Sequence, residues 1–153
     1  MRLRVVAVGR DRSGLYAPAI EEYAKRLGRY VKFELVEVPE ARKHAGTVQA
    51  KDEEAEALLA KLGPRERVIA LDERGAEWTS VAFAERVRRW TEGGRDVALV
   101  IGGSDGLSRA VLDRAEETLA LSRMTLAHRL ARLVLVEQLY RAMTILRGEP
   151  YHK

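Results

Sequence analysis

Several short stretches of this 153-residue chain combine residue types that could do chemistry. Gly102-Gly103-Ser104-Asp105-Gly106 follows an apolar run and precedes a helical one, so its backbone can come close to a ligand at the start of a helix. The spacing G-G-x-x-G is neither a dinucleotide fingerprint nor a P-loop, and no Lys-Ser/Thr pair follows. Asp105 also puts a carboxylate where a phosphate would sit. A ligand with a nucleoside and a cationic group, but no phosphate, fits such a loop better; a tight turn that needs its glycines is the plain structural reading. Leu71-Asp72-Glu73 could offer backbone to an adenine or a carboxylate to ribose hydroxyls, although alone such a stretch reads as a solvated turn. Glu137 and Arg141 lie four residues apart, with Thr144 one turn on. They form a polar strip on an otherwise greasy helix, either an ordinary ion pair or a surface that handles substrate. The chain ends Tyr151-His152-Lys153 behind a stiffening Pro150, which reads either as a fraying terminus or as part of a site that the rest of the chain builds.

The elements that must position these residues alternate. Strands are expected over Leu3–Gly9, Phe33–Val38, Arg67–Asp72, Asp96–Gly103 and Leu119–Leu121. Helices are expected over Tyr16–Tyr30, from a Thr47 cap to Leu62, from Thr79 or Ser80 to Gly93, near Ser108–Glu117 and over His128–Arg147. This order predicts a single domain, 1–153, of class α/β with a mostly parallel sheet and helices on both faces. In such a sheet, ligands bind beyond the carboxyl ends of the strands. Three loops leave those ends: Leu71-Asp72-Glu73-Arg74-Gly75, the glycine stretch from Ile101 to Ser108, and Leu121-Ser122-Arg123-Met124-Thr125-Leu126-Ala127-His128. The last helix is apolar nearly all round, which predicts burial on two sides and hence a second subunit.

Composition narrows the class. Hydrophobic content of 46% and charged content of 33% are those of a soluble globular chain, and no apolar stretch is long enough for a membrane span. The absence of cysteine and of ligand-spaced histidines argues for the cytoplasm and against a metal site. A net charge of +4 suits a polyanionic partner without requiring one. Basic positions such as Arg10, Arg12, Lys25, Arg26, Arg42 and Lys43 read as solvated faces.

LVIGGSDGLS, LALSRMTL, LVLVEQLYRA and the terminal PYHK, in that order and spacing, resemble the RlmH family of SPOUT methyltransferases, which modify a pseudouridine of 23S ribosomal RNA. LDERG, Trp78 and Gly93-Gly94-Arg95-Asp96-Val97 fall in register, so the resemblance covers the whole chain. It implies an α/β/α domain with a C-terminal trefoil knot, a homodimer with its active site near the subunit interface, and 23S rRNA within assembled ribosomes as the partner. It implies S-adenosylmethionine as methyl donor, held by Leu71, Gly103, Leu121, Ser122, Arg123, Met124, Thr125 and Leu126. Catalytic or substrate-handling positions would be Glu137, Arg141, Tyr151 and His152. Three departures from the family pattern stand out. Ala127-His128-Arg129 replaces a Pro-His-Pro run, Ser104-Asp105 replaces Pro-Glu, and Lys153 replaces arginine.

The chemistry so implied needs a deprotonated imide nitrogen aligned with the methyl group and sulfur. His152 is the first candidate base, with Glu137 the rival and a positioning role for His152, water taking the proton, the third reading. Arg141 or Arg123 would stabilise negative charge on the flanking carbonyls. Tyr151 could stack on a base and Lys153 could meet phosphate. Two rivals remain: an oxidoreductase or nucleotide hydrolase, which lacks a phosphate motif, and a non-catalytic RNA-binding dimer of the same fold.

Overall fold

The structure, a computed structural model, describes residues 1–41 and 46–153. The basic positions Arg42, Lys43 and His44 lie outside the described residues. Five strands, β1 (Arg2–Val8), β2 (Lys32–Val38), β3 (Arg67–Ala76), β4 (Val97–Ile101) and β5 (Glu117–Leu119), form one sheet in the order β2-β1-β4-β3-β5. Every pairing is parallel. Helices α1 (Ala17–Leu27), α3 (Ser80–Glu92) and α5 (His128–Leu146) cover one face, and α2 (Val48–Ala60) and α4 (Arg109–Arg114) the other.

The local chemistry explains these elements. Thr47 Oγ1 accepts from Ala50 N at 3.1 Å and Thr79 Oγ1 from Ala82 N at 3.1 Å, so each hydroxyl satisfies an orphan amide of the first turn. Along β1, Val5 packs under α1, α3 and α5 while Val6 packs under α2 and α4, because successive side chains leave opposite faces of a strand. All five residues of β4 are buried, since both faces of the central strands carry helices. A buried fork, Arg4 Nε and Nη2 to the two Glu66 oxygens at 2.8 and 2.7 Å, fastens β1 to the turn before β3.

Three expectations need correcting. Strand β3 runs on to Ala76, with a register break between Leu71 and Ala76, so the Asp72-Glu73 stretch is an irregular strand extension and not a free turn. Strand β5 begins and ends about two residues earlier than expected, at Glu117–Leu119. Glu117 pairs with Ile69 in the ladder while its carboxylate binds Arg86 at 2.9 Å and Trp90 Nε1 at 2.5 Å, an arrangement with no sequence signal. The third concerns α5. It packs between α1 and α3 over the sheet of its own chain, which buries Leu135, Val136, Leu139, Ala142 and Met143. Its apolar circumference is thus largely covered within one subunit and by itself gives no ground for a second.

Candidate active site

The carboxyl ends of β3, β4 and β5 surround a cavity of about 750 Å³. Leu71 from β3, Gly103 from the loop after β4, and Leu121, Ser122, Met124, Thr125 and Leu126 from the loop after β5 all line it. Arg123 does not: its side chain is 80% exposed and pairs with Glu77 at 2.6 Å. A second tie runs from Thr125 Oγ1 to Glu73 Oε2 at 2.6 Å. These two contacts fasten the loop after β5 to the extension of β3, so the pocket rim is built from both.

The glycines serve the loop itself. A Cβ on Gly102 would lie 2.7 Å from the backbone carbon and oxygen of Gly106, and one on Gly103 would lie 3.2 Å from Val8 Cγ1 and from both Glu54 oxygens. Gly106 has φ +78° and closes the turn by donating its N–H to Gly103 O at 3.0 Å. The tight-turn reading therefore accounts for these glycines, and the pocket takes advantage of the shape they allow. Beneath the loop, Glu54 is 6% exposed; burial raises its pKa, and Oε1 has no partner among the described residues while Oε2 accepts from Ala41 N at 3.1 Å.

Arg74 and His128 of the first and third loops also line the cavity, and so does Lys51, which sequence reasoning missed. Lys51 comes from α2 on the far side of the chain order, and only folding brings it here. His128 closes the third loop and opens α5. Its ring is held neutral, first by burial and then by the Arg129 charge, which together outweigh Glu40. Asp72 stays ionised because Arg74 donates to both its oxygens at 3.1 Å, which outweighs its burial. Asp105 Oδ2 accepts from Gly46 N at 3.0 Å.

A pocket of this size with Leu71, Ile101 and Leu121 as apolar walls and Asp72, Glu73 and Asp105 at its rim fits a nucleoside bearing a cationic tail. Lys51 and Arg74 stand among these carboxylates, with Arg74 paired to Asp72. Among the described residues no three His, Asp or Glu side chains converge as a metal site, and no helix is long and apolar enough to cross a membrane.

The tail belongs to a second cluster. Glu137 Oε1 accepts from Arg141 Nη2 at 2.6 Å, from Arg141 Nε at 3.1 Å and from the Tyr151 hydroxyl at 2.8 Å. Glu137 Oε2 accepts from Gln138 Nε2 at 2.8 Å, and Gln138 Oε1 accepts from the Ser80 hydroxyl at 2.9 Å. Arg141 Nη1 reaches His152 Nδ1 at 3.2 Å, and its guanidinium lies 4.7 Å above the Tyr151 ring. Tyr140 meets Tyr151 edge-on at 4.7 Å, and the Tyr23 hydroxyl lies 3.4 Å from that of Tyr151. Burial, the Tyr23 hydroxyl and Glu137 together raise the Tyr151 pKa, so the phenol keeps its proton and remains a donor. Thr144 does not join the strip; it is fully buried and donates to the Arg141 carbonyl at 2.7 Å. Glu137, Arg141, Tyr151 and His152 therefore come together, but none of them lines the large cavity.

Fold and pocket define the class: a wholly parallel α/β protein with a nucleoside-sized pocket at the carboxyl ends of its strands. Two solved structures share this fold. A probable methylase family protein from Haemophilus influenzae Rd KW20 matches with TM-score 0.57 at 17% identity, over 99% of this chain and 70% of that one. A probable methyltransferase from Bordetella pertussis Tohama I matches with TM-score 0.57 at 20% identity, over 93% and 94%. The chain belongs to the SPOUT methyltransferases, whose family model, described as a predicted SPOUT methyltransferase, matches residues 1–152. Relatives named ribosomal RNA large subunit methyltransferase H are 99% identical in Anaeromyxobacter sp. (strain Fw109-5), over all of both chains. Proteins of the same name are 47% identical in Limosilactobacillus reuteri (strain DSM 20016), over all of both chains, and 43% identical in Chromobacterium violaceum, over 100% of this chain and 99% of that one.

Proposed function

We propose that this single-domain, C-terminally knotted chain works in the cytoplasm as a homodimer that transfers the methyl group of S-adenosylmethionine to N3 of a pseudouridine in 23S rRNA of assembled ribosomes. The relatives' name supports the large ribosomal subunit as substrate; the base and atom follow from the family resemblance. The observation that carries the reading is the pairing of a pocket at the carboxyl ends of the strands with a guanidinium–carboxylate–imidazole cluster built from α5 and the tail.

S-adenosylmethionine, when bound, supplies an electrophilic methyl group on a cationic sulfur. Leu71, Gly103 and the Leu121–Leu126 loop would hold its adenosyl part, and the carboxylates of Asp72, Glu73 and Asp105 suit its positive charge. Of the loop, Arg123 would act through Glu77 as a brace and not as a contact. Glu137 orients Arg141 and Tyr151, which present a flat cation and an aromatic ring suited to an everted base and its phosphate.

The rise of α5 places Glu137 about 14 Å beyond His128. Methyl transfer needs reacting atoms about 3–3.5 Å apart. This separation supports a site composed across two subunits, with one chain's pocket facing the other's tail cluster.

The test is transfer of radiolabelled methyl to ribosomes lacking the modification, comparing the full chain with one ending at Pro150. Label in 23S RNA from the full chain alone is expected. Equal label from both would remove the tail from the site. No label from either would favour the non-catalytic RNA-binding dimer.

A further inference from the structure

We propose that His152 serves this reaction as a hydrogen-bond donor through its Nε2–H, aimed at a carbonyl oxygen flanking the target nitrogen, and not as the base that takes the N3 proton. The proposal rests on the methyltransferase reading above and assigns the role of one residue within it.

Arginine has five N–H donors and no acceptor. At 3.2 Å from Arg141 Nη1, His152 Nδ1 must therefore be the acceptor, and the neutral ring carries its proton on Nε2. Arg141 has little freedom to withdraw: Nε and Nη2 are both fixed on Glu137 Oε1, and the guanidinium plane lies over Tyr151. Glu137 is fixed in turn by Gln138 and Tyr151. Because a carboxylate only accepts, Gln138 must turn its amide nitrogen to Glu137 and its oxygen to Ser80. The bonds thus have one consistent polarity, with Ser80 donating to Gln138, Gln138 and Arg141 to Glu137, and Arg141 to His152.

Both candidate bases are then engaged. The His152 lone pair at Nδ1 is taken by Arg141, and both Glu137 oxygens already accept from donors. What the cluster offers outward is the Nε2–H of His152. An imide anion spreads its charge from N3 onto the two adjacent carbonyl oxygens, so a donor placed there stabilises the charge as it develops. In the balanced step, N3 loses its proton to water, its electron pair takes the methyl carbon, and the electron pair of the broken carbon–sulfur bond stays on sulfur. The charged and titratable groups facing His152 are Arg141 and, behind it, Glu137 from α5, Tyr151 in the tail and, through Tyr151, Tyr23 of α1.

The test has a spectroscopic arm and a kinetic arm, both on the full chain. Long-range proton–nitrogen correlation spectra of protein labelled with ¹⁵N-histidine should show His152 with an acceptor-type Nδ1 and the proton on Nε2. An Nδ1–H tautomer would overturn the proposal. In single-turnover methyl transfer, His152→Gln keeps an oxygen to accept from Arg141 and an amide N–H to donate, but cannot take a proton. It should stay within about tenfold of the wild-type rate with a pH profile of the same shape, while His152→Ala should lose about 10²–10³-fold. His152→Gln as slow as His152→Ala, or a neutral-range break in the wild-type profile that His152→Gln lacks, would establish the base role instead. Absence of transfer by the wild type would bring down the methyltransferase reading, and this assignment with it, whatever the tautomer.

Discussion

Replacing Tyr151 by phenylalanine removes one oxygen from the tail cluster and leaves the ring. The phenol donates to Glu137 Oε1 at 2.8 Å, a bond to a charged acceptor. Bonds of that kind contribute about 1.5–3 kcal/mol; with the Glu137 side chain 18% exposed, the lower part, about 1.5–2 kcal/mol, is the expectation. The edge contact with Tyr140 and the stacking of Arg141 remain, because both need only the ring. The loss therefore falls on the equilibrium between docked and released tail, by about 12- to 30-fold at 1.4 kcal/mol per decade. Amide exchange of residues 147–153, followed by mass spectrometry, reads that equilibrium directly. Exchange there should quicken by about 12- to 30-fold while the sheet keeps its protection, since no core residue is touched. Tyr151→Ala should add a further loss of about tenfold through the ring contacts. A change below about twofold in Tyr151→Phe would refute the claim that Glu137 anchors the tail, as would equal acceleration in β1 and β4.

Three further outcomes follow from the same geometry. Gly102→Ala, whose methyl would meet Gly106 backbone at 2.7 Å, should abolish cofactor binding by calorimetry, whereas Gly106→Ala meets open space and should cost only the roughly 1–2 kcal/mol of its φ of +78° in urea unfolding. Arg4→Ala should cost about 3–5 kcal/mol by leaving buried Glu66 unpaired, and the double change Arg4→Met with Glu66→Leu should recover most of it. Burial pushes the Glu66 pKa up, but Arg4 and the Gly63 amide hold it below the ordinary value. The pair's contribution is thus complete above the unfolded-state pKa and is lost as pH falls through the folded one, a component of acid destabilisation that the double variant should lack. Finally, Gly102→Ala mixed with a chain ending at Pro150, each inactive alone, should regain about a quarter of the wild-type methyl transfer, because half the dimers are mixed and each holds one intact composite site. No recovery would show that pocket and tail must belong to the same chain.

Most of the element order was legible because hydrophobic period and caps are local. Thr47 and Thr79 announce α2 and α3, and Gly63-Pro64 ends the first of these runs. What the sequence conceals is decided by partners. Strand β5 is set by Glu117 reaching Arg86 and Trp90, about 30 residues away. The pocket-lining loops could be named from strand ends alone, but Lys51 could not, because α2 reaches the cavity only through tertiary packing. Arg123 shows the opposite failure: its neighbours Ser122 and Met124 face the cavity while it turns outward to Glu77, and no motif records which way a loop residue points. For α5, an apolar circumference has the same appearance whether a second subunit or two flanking helices cover it.

Helix α5 carries the argument that joins the two clusters. Its first turn, at His128 and Ala131, lines the cavity, and its later turns, at Glu137 and Arg141, hold the tail. A helix is stiff at this length, so the distance between them is fixed by the rise per residue and cannot close by rotating side chains. Nor can the tail close it, since Tyr151 and His152 are folded back onto Glu137 and Arg141. On the proposed reading, one chain therefore carries the pocket at the start of α5 and the donor cluster at its later turns. Two-fold symmetry is the simplest operation that brings the pocket of one chain to the cluster of another, and it does so twice. On that view Arg132, which is buried and fixes α5 to the Val8 and Gly9 carbonyls at 3.2 and 2.8 Å and to Glu37 at 2.7 Å, is as important to the site as any residue lining it. It sets where the helix sits on the sheet, and hence where both of its ends can meet a partner.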